Sequence, residues 1–427
     1  MVYKSPRKTA VAILTRVLSQ RKSLKSLLTD EVLSSFNKSD RAFLIEVLYG
    51  TLRNLHLIDY LIEGFFKNKK GLSAFTINNL RTAVYQLLFM KIPEYAVTCE
   101  AVNVEKSFNG KPSVVNAILR NFIKNYSGKS LEEIFNSNLS LSVKYSHPEW
   151  LVKRWLKRFP LEEVESLLKA NNEKAPFSIA VKPEERALVA EYLTEKGFKV
   201  EFSEIVPSGL KIQGQGYEIR QSLQQAPFFW IVQDEASQLV CFLLEAFEGA
   251  RILDACASPG GKTLLTAALM KKGEIISVEN NRVRFKILQE NINRLRKFVP
   301  HVKIKPQLAD IHQIEFKHSF DRIILDAPCS STGVIRRNPD VRYRVNEEEI
   351  KRLSEIQKHM IEKVAQFLAK DGILLYSVCS TEPNEAEEVI ESFLQKHDEF
   401  SSIKKLRTYP HTDGMDGFFM AKLLRIK

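Results

Sequence analysis

The stretch RILDACASPGGKT, Arg251–Thr263, passes from a short apolar run through small residues and paired glycines into a helical apolar pattern that lasts to Met270. A strand that feeds a helix through such a turn is the repeating unit of an α/β sheet fold. The alternation continues on the C-terminal side. Glu274–Glu279 reads as a strand, Arg282–Arg296 as a helix, Val302–Leu308 and Asp321–Leu325 as strands, Glu347–Leu368 as a long helix and Gly372–Ser377 as another strand. Phe418–Leu424 is expected to add a last edge strand. From Asp234 onward the expected fold is therefore a doubly wound, Rossmann-like α/β sheet, which binds ligands outside the carboxyl ends of its strands.

Upstream the texture differs. From Pro6 to about Tyr126 apolar residues recur at three- and four-residue steps, as in Leu80, Val84, Leu87 and Leu88, and few stretches look like strands. That is the pattern of amphipathic helices. Ser39-Asp40 is a plausible helix start, and Gly110-Lys111-Pro112 a turn ahead of the apolar helix Val114–Ile123. Between Ser146 and Trp230 the order becomes β-α-β: Phe177–Val181, then Glu184–Lys196, then Lys199–Ile205 and Gly209–Ile212. The expectation is a multidomain chain, with an all-α domain over residues 1–140, a small α+β connector over 141–230 and the α/β domain over 231–427.

The bulk numbers narrow the class. No apolar run approaches the ~20 residues of a membrane span, and no signal-type core follows the basic N-terminus, so a cytoplasmic protein is expected. Five cysteines without a CxxC pair make no disulfide framework, and no His or Cys cluster has metal-ligand spacing, so no metal is expected. The chain carries a formal +12, of which +9 lies in residues 1–150, with 21 Lys and Arg against 12 Asp and Glu. Excess lysine often serves only solubility, but a one-sided excess also suits an anionic partner such as nucleic acid.

In Arg251–Thr263 the small residues let backbone approach a ligand, and the helix that follows offers unpaired N–H groups. A nucleotide-triphosphate loop would need glycine where Cys256 stands, so that reading fails. Glu279 ends the next expected strand, where an acid accepts from ribose hydroxyls, and Asp310 follows the third, where it would face an adenine amine. Either acid alone is an ordinary cap or surface residue. At successive strand ends they converge on one crevice.

Two further strands run into DAPCSSTG (Asp326–Gly333) and YSVCSTEPNE (Tyr376–Glu385). A buried cysteine is usually inert, and that reading is kept for Cys99, Cys241 and Cys256. Cys329 and Cys379 are different, because both stand where strands give way to polar loops on the ligand side.

DAPCSSTGVIRRNPD (Asp326–Asp340), YSVCSTEPNEAEEVI (Tyr376–Ile390) and DACASPGGKT (Asp254–Thr263) together resemble the RNA cytosine-C5 methyltransferase family. YGTLR (Tyr49–Arg53), LRTAVYQLLF (Leu80–Phe89), IPEYAV (Ile92–Val97) and VVNAILRNF (Val114–Phe122) resemble the NusB-like helical domain of one subgroup, the bacterial 16S ribosomal RNA methyltransferase B (RsmB, Sun or Fmu) family. HPEW (His147–Trp150), VQDEASQL (Val232–Leu239) and DGMDGFFMAKL (Asp413–Leu423) match its remaining junctions, so the resemblance spans nearly the whole chain.

The resemblance implies a class I S-adenosylmethionine-dependent methyltransferase that modifies a cytosine of 16S ribosomal RNA; a monomer is expected. It implies that Cys379 is the nucleophile, that Cys329 aids product release and that Asp326 polarises the base. DNA cytosine-C5 methyltransferases use the cysteine of the Pro-Cys pair instead, so Cys379 argues for RNA. Cys256, Ala257, Ser258, Pro259, Gly260, Gly261 and Lys262 would line the methionine and ribose side of the cofactor, Glu279 the ribose, and Asp310 and Asp326 the adenine and target side. The chemistry suits these groups. Carbon 5 of cytosine is a poor nucleophile until a thiolate adds to carbon 6.

Four positions depart from the family pattern: Ser258 for alanine, Ser331 for glycine, Val378 for threonine and Glu279 for aspartate. Ser331 matters most, because losing a glycine alters what the Cys329 loop can adopt. Arg336, Arg337, Arg342 and Arg344 follow Cys329 closely and are expected to bind phosphates at the mouth of the site, against the plain reading of a solvated loop. Two other readings remain open: the same chemistry on transfer RNA, and a non-catalytic RNA-binding or antitermination factor built on a retained methyltransferase fold.

Overall fold

The structure, a computed structural model, describes residues 5–66, 71–135 and 138–427. Packing divides the chain into two compact units. The first holds the residues up to Glu173 together with a segment from far downstream, Ile335–Val345; the second holds Lys174–Val334 and Asn346–Lys427.

The first unit is helical. Helix Pro6–Gln20 begins at Ser5, whose side chain accepts from the Lys8 amide, with proline in the first turn where its missing N–H costs nothing. Helix Lys38–Arg53 begins slightly earlier than Ser39-Asp40 suggested, because Asn37 is the cap and accepts from the Asp40 amide at 2.9 Å. Helix Pro112–Tyr126 buries Val115, Ile118, Leu119 and Phe122, an i, i+3, i+4, i+7 stripe. These pack with Leu57, Ile58, Leu80 and Val84 into one core, while Leu14, Val17, Leu44, Val47 and Leu48 form a second.

The downstream segment completes this unit. Ile335 and Val341 are fully buried among Leu151, Trp155, Val164 and Leu168. Asp340 accepts from the Leu24 amide, and the Tyr343 hydroxyl donates to the Leu52 carbonyl. Arg342 is only 2% exposed. Its guanidinium donates to the carbonyls of Arg53, Ser146 and Asn171 and to Asn172 Oδ1, at 3.1, 2.9, 2.9 and 2.6 Å.

The phosphate role expected for Arg342 and Arg336 is therefore corrected, while Arg337 and Arg344 are half-buried. Arg342 and Arg336, the latter 6% exposed, are buried, and Arg344 pairs with Asp340 at 2.8 Å. A guanidinium sunk among carbonyls has no face left for phosphate.

The second unit contains two sheets. Strands β1 (Phe177–Val181), β2 (Lys199–Phe202), β3 (Gly209–Gln213) and β4 (Trp230–Val232) pair antiparallel in the order β2-β3-β1-β4. Helices Arg186–Glu195 and Gly216–Gln224 accompany them. The larger sheet holds β5 (Arg251–Asp254), β6 (Gly273–Glu279), β7 (Val302–Leu308), β8 (Phe320–Asp326), β9 (Leu368–Val378), β10 (Phe400–Thr408) and β11 (Phe418–Arg425), in the order β10-β11-β9-β8-β5-β6-β7. β5 to β9 run parallel, and β11 and β10 close the sheet antiparallel.

The strand expected at the edge is interior. β11 pairs with β9 on one side and β10 on the other, so β10 is the edge. The chain order reverses between β5 and β8. That switch point opens a crevice at the carboxyl ends of the two strands, where an α/β sheet takes its ligand. Among the described residues no helix is long and apolar enough to cross a membrane.

Candidate active site

The cofactor-side turn follows β5. Gly260 takes φ +101, a left-handed conformation that glycine accepts without strain, and helix Gly261–Ala268 starts immediately after it. A helix N-terminus thus stands just past the carboxyl end of β5, where backbone amides suit an anionic or polar ligand. The Ser258–Pro259 peptide is cis, Ser258 Oγ donates to the Arg284 carbonyl, and Asn291 holds the Pro259 carbonyl, so the turn is tied to the helix after β6.

Asp254, at the end of β5, is fully buried and accepts from Thr263 Oγ1 at 2.6 Å. Burial pushes its carboxyl up to about 6, against the pull of the Thr263 bond. Glu279, 3% exposed at the end of β6, accepts from the Asn281 amide and the Arg284 guanidinium. Ala309 N donates to the Glu279 carbonyl, which brings Asp310 beside it at the end of β7; Asp310 itself accepts from the His312 amide. The expected acids therefore stand at neighbouring strand ends.

Lys262 turns toward the reacting side. Its ammonium lies 2.6 Å from Asp326 Oδ2 and 3.1 Å from Ser237 Oγ, while Ser377 donates to Asp326 Oδ1 at 2.7 Å. Burial pulls the Lys262 pKa down, but the charge and hydrogen bond of Asp326 outweigh it and hold the ammonium above its ordinary value. Sequence reasoning assigned Lys262 to the cofactor. The folded chain joins it to Asp326 at the end of β8.

Cys329 and Cys379 follow the adjacent strands β8 and β9, and their sulfur atoms lie 3.3 Å apart. Cys329 is held well above the ordinary thiol range by its hydrogen bond to Cys379 and by burial. The Cys379 thiol also approaches Ser331 Oγ at 3.6 Å. Ser331 does occupy the position where glycine was expected to matter, at φ +63. Beyond it, Gly333 packs against Gly417 so closely that a Cβ there would lie 1.9 Å from the Gly417 carbonyl oxygen, and no other residue fits. Burial pushes Cys241 up to about 12 and raises Cys256 as well, as inert thiols require; Cys99 is exposed, on the helical unit.

Two groups escaped the sequence reading. The Lys262–Asp326 pair spans 64 residues. Glu385 lies inside a quoted motif, and its buried bonds to both cysteine loops depend on tertiary contacts. The serines flanking both cysteines were the available signal, since clustered hydroxyls beside an acid call for a common acceptor.

The family described as 16S rRNA methyltransferase RsmB/F matches residues 241–424, the NusB family matches residues 4–124, and a ferredoxin-like domain described as Methyltr_RsmF/B-like matches residues 147–218. A Bacillus subtilis (strain 168) protein named "Probable ribosomal RNA small subunit methyltransferase B" is 32% identical, over 95% of this chain and 96% of its own. The "Ribosomal RNA small subunit methyltransferase B" of Photorhabdus laumondii subsp. laumondii is also 32% identical, over 98% and 97%. Among solved structures, the crystal structure of PH0851 is 27% identical, with a TM-score of 0.80 over 98% of each chain.

Proposed function

This chain belongs to the 16S rRNA methyltransferase RsmB/F family, and from that premise we propose that it methylates carbon 5 of a cytosine in small-subunit ribosomal RNA through a covalent bond from Cys379 to carbon 6. The observation that carries this reading is the pair of thiols 3.3 Å apart beside the Lys262–Asp326 pair, at the switch point of the sheet. An inert scaffold would have no use for two thiols and an ion pair converging there.

S-adenosylmethionine supplies an electrophilic methyl group when bound. The residues fit it: the turn from Cys256 to Gly261 brings backbone close, Glu279 offers a carboxylate for ribose hydroxyls, and Asp310 stands beside it. The base leaves its stack to enter the crevice. The Cys379 thiolate adds to carbon 6, and Asp326 with Lys262 delivers a proton toward nitrogen 3, so the electrons pushed into the ring make carbon 5 nucleophilic. Once carbon 5 is methylated, its proton must leave so that the carbon 5–carbon 6 double bond reforms and expels Cys379. Cys329 suits that step. The hydrogen bond with Cys379 holds the Cys329 proton; once Cys379 is engaged in a thioether, Cys329 gives that proton to solvent and, as a thiolate, takes the carbon-5 proton.

The helical domain, expected over 1–140, supplies affinity through its +9, and the connector over 141–230 joins it to the catalytic domain over 231–427. The protein acts as a monomer in the cytoplasm. The test is methyl transfer from labelled S-adenosylmethionine to naked 16S RNA and to transfer RNA, with bisulfite sequencing of both. A single protected cytosine in 16S RNA is expected. Labelling of transfer RNA alone would move the substrate there, and labelling of neither would leave a non-catalytic RNA-binding protein.

A further inference from the structure

Both cysteine loops converge on one carboxylate that no step above uses. Glu385 is fully buried at the end of the short turn Pro383–Glu385, after β9. Its Oε1 accepts from the Ser330 amide at 2.7 Å and from Gln357 Nε2 at 3.3 Å. Its Oε2 accepts from Ser330 Oγ and Ser380 Oγ, both at 2.5 Å. Ser330 adjoins Cys329 and Ser380 adjoins Cys379, so this one side chain ties down the residue next to each thiol.

The ladder between β8 and β9 ends at Asp326 and Ser377, before either cysteine. Past that point the loops are also linked by Gly333 N to the Cys379 carbonyl, by Thr332 Oγ1 to the Thr381 amide and hydroxyl and to Ser380 Oγ, by Ser330 Oγ to Ser380 Oγ and by the Cys379 thiol to Ser331 Oγ. Glu385 is the carboxylate that gathers Ser330 and Ser380, the residues after each thiol, onto one side chain. It is also the right chemical type. An amide N–H, two hydroxyls and a carboxamide N–H all point at it, and a carboxylate is the acceptor-only group that satisfies four donors at once. Gln357 extends the tie, because its Nε2 also donates to the Pro328 carbonyl at 2.8 Å, on the other flank of Cys329. A buried carboxylate is costly unless its lone pairs are filled, so the bonds are what keep it there.

We propose that Glu385 is a positioning residue that sets the spacing of Cys329 and Cys379 by binding the residue after each of them. The role rests on the assignment of the two cysteines given above, and the spacing itself does not. Displacing reacting groups by about 1 Å can cost roughly 10²-fold in rate, so a loosened clamp acts on kcat.

Glu385→Ala, Glu385→Asp and Glu385→Gln are compared in the full-length protein. Three quantities are read: S-adenosylmethionine affinity by calorimetry, kcat and KM on 16S RNA, and the rate at which hydrogen peroxide joins Cys329 to Cys379, mapped by mass spectrometry. Peroxide is reduced to water as the two thiols lose their hydrogens, so that rate reports spacing whatever the enzyme's substrate. Glu385→Ala and the shorter Glu385→Asp are expected to lose about 10²-fold in kcat with KM and cofactor affinity nearly unchanged, and to form the disulfide more slowly. Glu385→Gln, which keeps the length and one carbonyl, is expected to regain part of both. Wild-type disulfide rates in Glu385→Ala would overturn the proposal, and so would a kcat loss matched by an equal loss of cofactor affinity. A wild-type protein that forms the disulfide quickly but methylates no RNA would refute the proposed function and leave the clamp standing.

Discussion

The sulfur atoms of Cys329 and Cys379 meet at 3.3 Å although 50 residues separate them. Hydrogen bonding to Cys379 and burial both hold the proton on Cys329. Because a thiolate is the species that alkylates, Cys329 should resist iodoacetamide at pH values where an ordinary thiol reacts. Removing its partner removes the largest cause of the shift. In Cys379→Ala the onset of Cys329 labelling should therefore move to lower pH, as read by peptide mapping across a pH series. An unchanged or higher onset would mean that the hydrogen bond does not govern Cys329.

Ser331 sits at φ +63 and places its hydroxyl 3.6 Å from Cys379. A non-glycine residue there carries a backbone cost of order 1 kcal/mol. Ser331→Gly should raise the stability of the second unit by up to about 1 kcal/mol in urea unfolding, while slowing the capture of RNA by Cys379. A variant that is less stable and equally reactive would show that the serine neither strains the loop nor serves the thiol.

Asp326 is joined to Lys262 at 2.6 Å and to Ser377 at 2.7 Å. Asp326→Asn keeps the shape but cannot pass a proton. Single-turnover methyl transfer should fall by roughly 10²–10⁴-fold, the range of a lost general acid. Rates within threefold of wild type would leave base polarisation without a group to perform it.

Arg342 occupies the carbonyls of Arg53, Ser146 and Asn171 from 171 residues downstream of the last of them. Truncating it leaves several buried acceptors without donors, at about 1–3 kcal/mol each. Arg342→Ala should unfold the helical unit first on heating, seen as early proteolysis before Glu173. Arg342→Lys should fail to rescue it, because an ammonium cannot reproduce the planar fork. The same contacts mean that a fragment ending at Glu173 lacks part of its own core. Equal melting of Arg342→Ala and wild type would contradict this.

The architecture was legible where local pattern and burial agree. Apolar runs such as Ile252–Leu253 and Ile323–Leu325 fit buried parallel strands, and the helical stripe Leu80, Val84, Leu87 and Leu88 buried its first two members and half-buried the other two. β10 escaped because FSSIKKLRT (Phe400–Thr408) reads as polar; its lysines suit an exposed edge. The continuous run FFMAKLL in β11 was the sign that this strand lies inside the sheet. The motifs carried the cysteines and acids to the crevice, but no local signal distinguishes a buried arginine from a solvated one. Arg342 was misread for that reason, since its partners are spread from residue 53 to residue 172.

The central claim is that the two cysteines serve successive steps, with Cys379 making the bond to RNA and Cys329 releasing it. The direct measurement is denaturing electrophoresis of wild type, Cys379→Ala, Cys329→Ala and the double variant after incubation with S-adenosylmethionine and 16S RNA. Cys329→Ala should accumulate a protein–RNA adduct that survives denaturation, while Cys379→Ala and the double variant show none. RNA containing 5-fluorocytosine, which has no carbon-5 proton to lose, should trap even the wild type. An adduct that persists in Cys379→Ala and vanishes in Cys329→Ala would reverse the two roles and contradict the account.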